Sequence, residues 1–173
     1  QADFNYRERG MRTMLFTAAV DDRFAAGTIA SRIGLSAPAT PFDGRTDLRA
    51  LALAEHDRGA LACVLVDEAQ FLTAAQVDQL AALADAHGLP VLCYGLRTDF
   101  RGELFPGSAR LLALADALIE IKSVCECGRK ATMNLRVDDE GRAIAHGRQT
   151  EIGGNERYVA LCRRHFVDAL RSA

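Results

Sequence analysis

Three runs of almost uninterrupted apolar residues constrain the fold of this chain more than any other feature. Residues 13–20, 60–66 and 89–95 read TMLFTAAV, ALACVLV and LPVLCYG. Runs without polar alternation are typical of strands that are covered on both faces. Because segments with helical spacing separate these runs, the sequence predicts an α/β fold in which helices cover both faces of a parallel sheet.

The segments between the strands carry helix-end signals. Thr46 is predicted to cap a helix that ends at Gly59. Thr73 and Gln76 form the capping-box pattern of the next helix, which ends at Gly88. The other elements predicted before residue 125 are a helix over 2–9, a helix over 108–118 and a fourth sheet strand over 119–124.

The character of the sequence changes near residue 123. Beyond it, Gly, Asp, Arg and Cys replace the apolar periodicity. Residues 138–141, DDEG, predict a hairpin turn, and helical spacing is predicted from Tyr158 to Phe166. We therefore predict two domains, an α/β core over 1–123 and a smaller domain over 124–173.

Composition and charge limit the classes of protein to which this chain can belong. The formal net charge is -2, which argues against a broad basic surface for nucleic acid. No apolar run approaches the ~20 residues of a membrane-spanning helix, and no secretory leader is visible. The five cysteines are an odd number, and two of them lie in apolar runs. These features predict a cytoplasmic protein in a reducing compartment, without a nucleic-acid or membrane partner.

Two adjacent carboxylates, Asp67 and Glu68, directly follow the apolar strand 60–66. In doubly wound sheets, ligands gather at the carboxyl ends of the strands. An apolar strand that ends in Asp is the Walker B arrangement, in which the carboxylate helps to hold Mg²⁺ beside nucleotide phosphates. A neighbouring Glu can act as a general base. The same pair is also compatible with the start of a solvated loop.

Four side chains in the smaller domain form two close pairs. Cys125 and Cys127 flank one residue, and Cys162 and His165 lie three positions apart. Two such pairs suit tetrahedral Zn²⁺ in a closed, structural shell. The alternative is two incidental thiols together with an unrelated Cys and His on a helix. We predict a structural zinc site.

Several motifs occur together in one order: VLVDEAQFL, VLCYGLRTDFRGELFPGS, CECGRKATMNLR and IGGNERYVALCRRH. Together they resemble the thymidine kinases of the zinc-containing cellular and bacterial type, over nearly the whole chain. The resemblance implies a nucleoside kinase that transfers the γ-phosphoryl group of ATP to the 5′-hydroxyl of thymidine, in nucleotide salvage for DNA synthesis. It also implies a RecA-like core of the P-loop-kinase type, a zinc-bearing lasso domain, a homotetramer and dTTP as a feedback inhibitor.

The resemblance extends to individual residues. Glu68 matches the general base at the 5′-hydroxyl and Asp67 the carboxylate on the Mg²⁺ side, while Asp21 and Arg23 match a pair near the phosphates of the ATP that Mg²⁺ accompanies. The residues that match the nucleoside site are Phe71, Leu96, Phe100, Phe105, Asn134, Ile152, Gly153 and Tyr158. The residues that match the zinc ligands are Cys125, Cys127, Cys162 and His165.

One family motif is missing from the sequence as given. The family begins with a strand and a P-loop ahead of the helix that ends in YRERG, whereas no Gly-Lys-Ser or Gly-Lys-Thr occurs here. Either this sequence does not include the leading residues, which is what we expect, or the chain cannot bind ATP productively. Two alternatives to a kinase are a single-lobe helicase-like NTPase, because its Walker B can also read DEAQ, and a non-catalytic zinc-ribbon binding module.

Overall fold

The computed structural model describes residues 1–20, 27–30, 34, 36–121, 123–150 and 157–173. The chain forms two compact units. The first unit consists of Gln1–Leu96 and Pro106–Leu114, and the second of Arg97–Phe105 and Ala115–Ala173. This grouping does not test the predicted domain boundary near residue 123, which stays a prediction.

The described residues form five helices, ten short strands and one 3₁₀ turn. The helices are α1 (Ala2–Glu8), α2 (Leu48–Arg58), α3 (Ala74–His87), α4 (Pro106–Leu114) and α5 (Arg163–Arg171). The strands are β1 (Arg12–Ala18), β2 (Thr28–Ala30), β3 (Ser36–Pro38), β4 (Thr40–Phe42), β5 (Leu61–Val66), β6 (Val91–Cys93), β7 (Ser123–Val124), β8 (Lys130–Ala131), β9 (Met133–Arg136) and β10 (Tyr158–Leu161). The 3₁₀ turn, Ala69–Phe71, follows β5. Within the described ranges, no helix has the length and apolar character needed to cross a bilayer.

The first unit contains a four-stranded sheet in the order β4-β1-β5-β6. All three strand pairs are parallel, which confirms the predicted α/β class with a parallel sheet. The three strands predicted from the longest apolar runs are its members β1, β5 and β6.

The fourth strand of this sheet was predicted wrongly. It is β4, a three-residue strand that contains Pro41 and is too short to show periodicity. Residues 119–121 lie outside any strand, with Ile119 88% and Ile121 77% exposed, while β7 pairs antiparallel with β8. The alternation of apolar and polar residues in IEIK thus indicated a strand without indicating its partner.

The two faces of the sheet pack against different elements of the first unit. Val64 and Val66 of β5 belong to a core cluster that includes buried side chains of α2 and α3. Their neighbours Cys63 and Leu65 point to the opposite face and pack with residues of α1, β2 and β3. Successive strand residues point to opposite faces, so a strand that must be apolar on both sides reads as an unbroken apolar run. Coverage by helices on both faces is confirmed.

Helix starts depend on short polar side chains. The predicted capping box is present: the Thr73 hydroxyl accepts from the Gln76 amide N–H, and the Gln76 side chain accepts from the Thr73 N–H. The prediction of Thr46 as a cap is wrong by one residue, because Asp47 Oδ1 accepts from Ala50 N at 2.9 Å. Thr46 instead bonds to Asp43. Asp caps a helix as well as Thr does, so the adjacent pair left the start ambiguous.

The second unit is built from two small antiparallel ribbons, β7–β8 and β9–β10, and helix α5. The predicted turn at 138–141 is confirmed, since Gly141 N donates to Asp138 O and a bridge joins Val137 to Ala143. The helical spacing predicted from Tyr158 is wrong for the first residues. They form β10, and α5 begins only after Cys162, its N-cap.

Candidate active site and metal centre

The carboxylates Asp67 and Glu68 lie directly beyond the carboxyl end of β5, as the sequence predicted. Backbone bonds join this segment to both neighbouring strands: Asp67 N donates to Phe16 O at 2.9 Å, and Ala69 N donates to Tyr94 O at 2.8 Å. Both acidic residues are half-buried. The pair therefore lies at the sheet edge where α/β proteins bind ligands, on backbone that three strands hold in place.

Glu68 has an unusual backbone conformation. Its φ of 53° and ψ of 40° are left-handed, and among the described residues it alone has a positive φ without being glycine. Such a conformation costs on the order of 1–3 kcal/mol and persists only where the surroundings impose it, commonly at functional sites. The conformation reverses the chain sharply between β5 and the 3₁₀ turn.

Gln70 joins Glu68 to the end of strand β6. Its side-chain Nε2 donates to Glu68 Oε2 at 2.6 Å, and its Oε1 accepts from Leu96 N at 3.0 Å. The residue is only 3% exposed. Sequence reasoning missed Gln70. The signal available in the sequence was a polar amide side chain between the apolar residues Ala69 and Phe71, directly after the carboxylate pair.

The other matched residues of the first unit differ in exposure. Leu96 follows β6 and is 43% exposed, whereas Phe71 is half-buried and packs against the core cluster that contains Val64 and Val66. Asp21 and Arg23 lie outside the described residues.

In the second unit, a buried carboxylate organises the loop Arg97–Phe105. The Asp99 side chain accepts from the amides of Arg101 and Glu103, each at 2.9 Å. Burial of Asp99 opposes its ionisation, but these amides and the Arg101 guanidinium outweigh burial and lower the pKa of Asp99. A bridge between Thr98 and Leu104 closes the loop. The bonds by which the carboxylate holds the loop thus favour its charged form.

Phe100, at the centre of this loop, is buried under a guanidinium group. Phe100 is 1% exposed and Phe105 6%. The Arg136 guanidinium carbon lies 3.8 Å from the centroid of the Phe100 ring. Arg136 also donates to Arg148 O at 3.1 Å and to His146 O at 3.0 Å. It is itself 3% exposed. Sequence reasoning missed this residue, although an arginine between Leu135 and Val137 in a strand was a signal.

The ribbon β9–β10 brings three polar or aromatic residues to one face. Tyr158 lies opposite Arg136 in the register, and Asn134 lies two residues from Arg136 on the same strand. Alternation along a strand therefore gives all three side chains the same face. Two of them, Asn134 and Tyr158, were predicted as site residues. The other two predicted residues of this region, Ile152 and Gly153, lie outside the described residues.

The four predicted metal ligands form one cluster. The ligand atoms of Cys125, Cys127, Cys162 and His165 all lie within 4.8 Å of one another. Cys125 Sγ is 3.5 Å from His165 Nδ1, and the sulfurs of Cys127 and Cys162 are 3.9 Å apart. A tetrahedral ion with Zn–S bonds of ~2.3 Å requires sulfur separations of ~3.8 Å. The cluster could therefore hold a metal ion, consistent with zinc.

Local structure prepares the cluster for a cation. Cys125 and Cys127 lie in the turn between β7 and β8, and Cys162 caps the helix that carries His165. The backbone amides of Cys127 and Cys162 bond to Cys125 and lower the pKa of its thiol to about 6. A thiolate is the form that binds metal. All four ligand positions are filled by protein, which is typical of a structural site.

The fold and these sites define an α/β protein with paired carboxylates at the edge of a parallel sheet and a second unit containing a Cys₃His cluster. The thymidine kinase family model matches residues 1–166. A thymidine kinase of Novosphingobium aromaticivorans is 69% identical over 170 residues, covering 98% of this chain and 88% of the relative. A thymidine kinase of Zymomonas mobilis is 62% identical over 99% of this chain and 89% of the relative. One of Yersinia pseudotuberculosis is 56% identical over 100% of this chain and 88% of the relative.

The chain belongs to the thymidine kinase family, which makes it a nucleoside kinase and hence a phosphotransferase. The family predicted from the motifs is thereby confirmed. Family membership favours a kinase over the helicase-like NTPase and over the non-catalytic zinc-ribbon module.

Proposed function

We propose that the protein transfers the γ-phosphoryl group of ATP to the 5′-hydroxyl of thymidine, which yields dTMP and ADP. The observation that carries the proposal is the position of Glu68. It follows the strand β5 at the carboxyl edge of the sheet, in a backbone conformation that the turn imposes and with a hydrogen bond from a buried amide. Phosphoryl transfer needs positioning and charge stabilisation more than covalent chemistry, and a rigidly held carboxylate suits that requirement.

In the proposed reaction, Glu68 accepts the proton of the 5′-hydroxyl. The sugar oxygen forms a bond to the γ-phosphorus while the bond between that phosphorus and the β–γ bridging oxygen breaks, so the electron pair leaves with ADP. Asp67 is the proposed carboxylate on the Mg²⁺ side, and Asp21 and Arg23 are proposed near the phosphates. Mg²⁺ bound with ATP would supply neutralisation of the phosphate charge.

The residues proposed to bind the nucleoside are those that match the family motifs: Phe71, Leu96, Phe100, Phe105, Asn134, Ile152, Gly153 and Tyr158. Support comes from the shared face of Asn134 and Tyr158 on the β9–β10 ribbon. Apolar contact with the 5-methyl group would favour thymidine over deoxyuridine by about 1–3 kcal/mol.

Further properties are proposed from the family resemblance. They are a structural zinc ion at the Cys₃His cluster, a homotetramer, feedback inhibition by dTTP and a cytoplasmic role in nucleotide salvage. Sedimentation of the full-length protein tests the oligomer, and thymidine turnover measured with and without dTTP tests the inhibitor.

The decisive experiment replaces Glu68 by Gln in the full-length protein. Without the base, turnover of thymidine should fall by on the order of 10²–10⁴-fold, while thymidine still raises the melting temperature through binding to the folded state. Glu8→Gln is the matched control, since Glu8 is exposed at the end of α1 and its loss should leave turnover unchanged. Turnover within a few-fold of wild type in Glu68→Gln would remove Glu68 from the base role.

The same thermal-shift assay separates the kinase from its alternatives. Thymidine should stabilise the protein, whereas RNA and duplex DNA should not. ATP hydrolysis that depends on nucleic acid rather than on thymidine would favour a helicase-like NTPase. Zinc-dependent binding of another ligand without phosphoryl transfer would favour a binding module.

A further inference from the structure

The first unit contains a buried amide between two proposed substrate residues. Gln70 donates to Glu68 Oε2 at 2.6 Å and accepts from Leu96 N at 3.0 Å. Its residue exposure is 3%, so water does not compete strongly for either bond. One side chain thus links the proposed base to the backbone of a proposed wall of the nucleoside site.

The chemistry of the partners determines which end of the amide faces which group. A backbone N–H can only donate, so the atom of Gln70 that faces Leu96 N must be its carbonyl oxygen. The NH₂ group therefore faces Glu68, and Glu68 Oε2 must accept the bond. A hydrogen bond to an ionised acceptor is short and roughly twice as strong as a neutral one. This bond restricts rotation of the Glu68 carboxylate.

The space around the amide allows little rearrangement. A Cβ atom at Gly95 would lie 2.6 Å from Gln70 Oε1 and 2.9 Å from Gln70 N, so only glycine leaves room for the side chain there. On the other side, Ala69 N is bonded to Tyr94 O and Phe71 N to Glu68 O. The backbone on both sides of Gln70 is therefore fixed, and its side chain occupies a preformed slot.

We propose that Gln70 is a positioning residue for phosphoryl transfer. It orients the Glu68 carboxylate toward the substrate hydroxyl. Because Gln70 also bonds to Leu96 N, the orientation of the proposed base depends on the position of a proposed nucleoside-binding residue. The inference depends on the proposed role of Glu68 as the base. A displacement of about 1 Å in a reacting group can cost on the order of 10²-fold in rate, which sets the scale of the expected effect.

Two substitutions at Gln70 separate its two bonds. Gln70→Glu has the same shape and keeps an acceptor for Leu96 N, but it replaces the donor to Glu68 by a second carboxylate. Its kcat should fall about 10–100-fold, with the KM for thymidine within about 2-fold of wild type. Gln70→Met removes both bonds, so it should lose a similar factor in kcat and also raise the KM.

Gln79 supplies a matched control in the same unit. Its Oε1 also accepts from a backbone amide, Leu48 N, at 3.0 Å, but it has no contact with Glu68 in the described hydrogen bonds. Gln79→Met should lower the melting temperature and leave kcat unchanged. A role of Gln70 in stability alone would give Gln70→Met the same pattern.

A double variant tests whether Gln70 acts through Glu68. Residues that act as one unit are strongly non-additive. In the Glu68→Gln background, Gln70→Glu should therefore cost less than about 2-fold further in single-turnover rate. An additional loss as large as in the wild-type background would overturn the proposal.

The outcomes distinguish this inference from the proposed function. Full turnover in Glu68→Gln contradicts the base and the inference together. Lost turnover in Glu68→Gln with near-wild-type kcat in both Gln70 variants overturns the inference alone. If neither Gln70 variant folds while Gln79→Met does, Gln70 is a core structural residue and the proposal is likewise overturned.

Discussion

Replacing Arg136 by Met should destabilise the second unit markedly. The guanidinium covers the Phe100 ring at 3.8 Å and bonds to the carbonyls of His146 and Arg148. A desolvated cation–π contact contributes ~2 kcal/mol, and each hydrogen bond from a charged donor ~1.5–3 kcal/mol. His146 and Arg148 are exposed, so water can replace part of these bonds, and removal of a buried charge is favourable in itself. We expect a net loss of about 2–4 kcal/mol in the free energy of unfolding.

The measurement is urea unfolding of the metal-loaded protein, followed by circular dichroism because the chain has no tryptophan. Arg142→Met is the matched control. Arg142 lies in the same unit, but its side chain is 73% exposed and pairs only at the surface with Asp138 and Glu140, so it should lose less than about 1 kcal/mol. Arg136→Lys should lie between the two, since it keeps the charge and loses the planar fork. Equal stability of Arg136→Met and Arg142→Met would refute the reasoning.

Two further predictions concern the N-terminus of helix α3 and the metal cluster. Thr73→Ala removes the hydroxyl half of the capping box and should cost ~1 kcal/mol, seen as a lower melting temperature that Thr73→Ser restores; an unchanged temperature would contradict the cap. Removal of the metal by a chelator should lower the melting temperature, because a structural site contributes its binding energy to folding. Cys127→Ser should abolish this sensitivity to chelator. Cys93 lies outside the cluster, so Cys93→Ser should retain it. A chelator-induced drop in melting temperature as large in Cys127→Ser as in wild type would contradict the assigned ligands.

Elements with a local physical signature could be predicted from the sequence. Strand β5 had to be apolar on both faces, and this double requirement is visible as an unbroken run. The capping box of α3 and the pairs Cys125/Cys127 and Cys162/His165 are likewise defined by short spacings. The location of the carboxylates after β5 followed from the strand assignment, because the carboxyl ends of parallel strands lie at the ligand-binding edge of the sheet.

Features that depend on distant partners could not be predicted. Residues 119–122, IEIK, alternate apolar and polar side chains as a strand does, and only pairing reveals that β4 joins the sheet instead. The spacing of Tyr158 and Leu161 fits a helix, but pairing with β9 imposes a strand. Gln70 and Arg136 were missed because a buried polar group is recognised by its bonding partners, and these can be distant in sequence. Leu96 lies 26 residues from Gln70, and Arg148 lies 12 residues from Arg136.

The spacing of the metal ligands has a consequence for how this protein can vary. Cys127 and Cys162 are 35 residues apart, yet their sulfurs lie together, so a metal ion bound there would anchor both ends of the intervening chain. Doubling the length of a closed loop costs only about 0.6 kcal/mol. Insertions at the exposed turn 138–141 should therefore leave the remainder of the second unit intact. This turn can vary in length and sequence during evolution while the metal ligands at both ends stay the same.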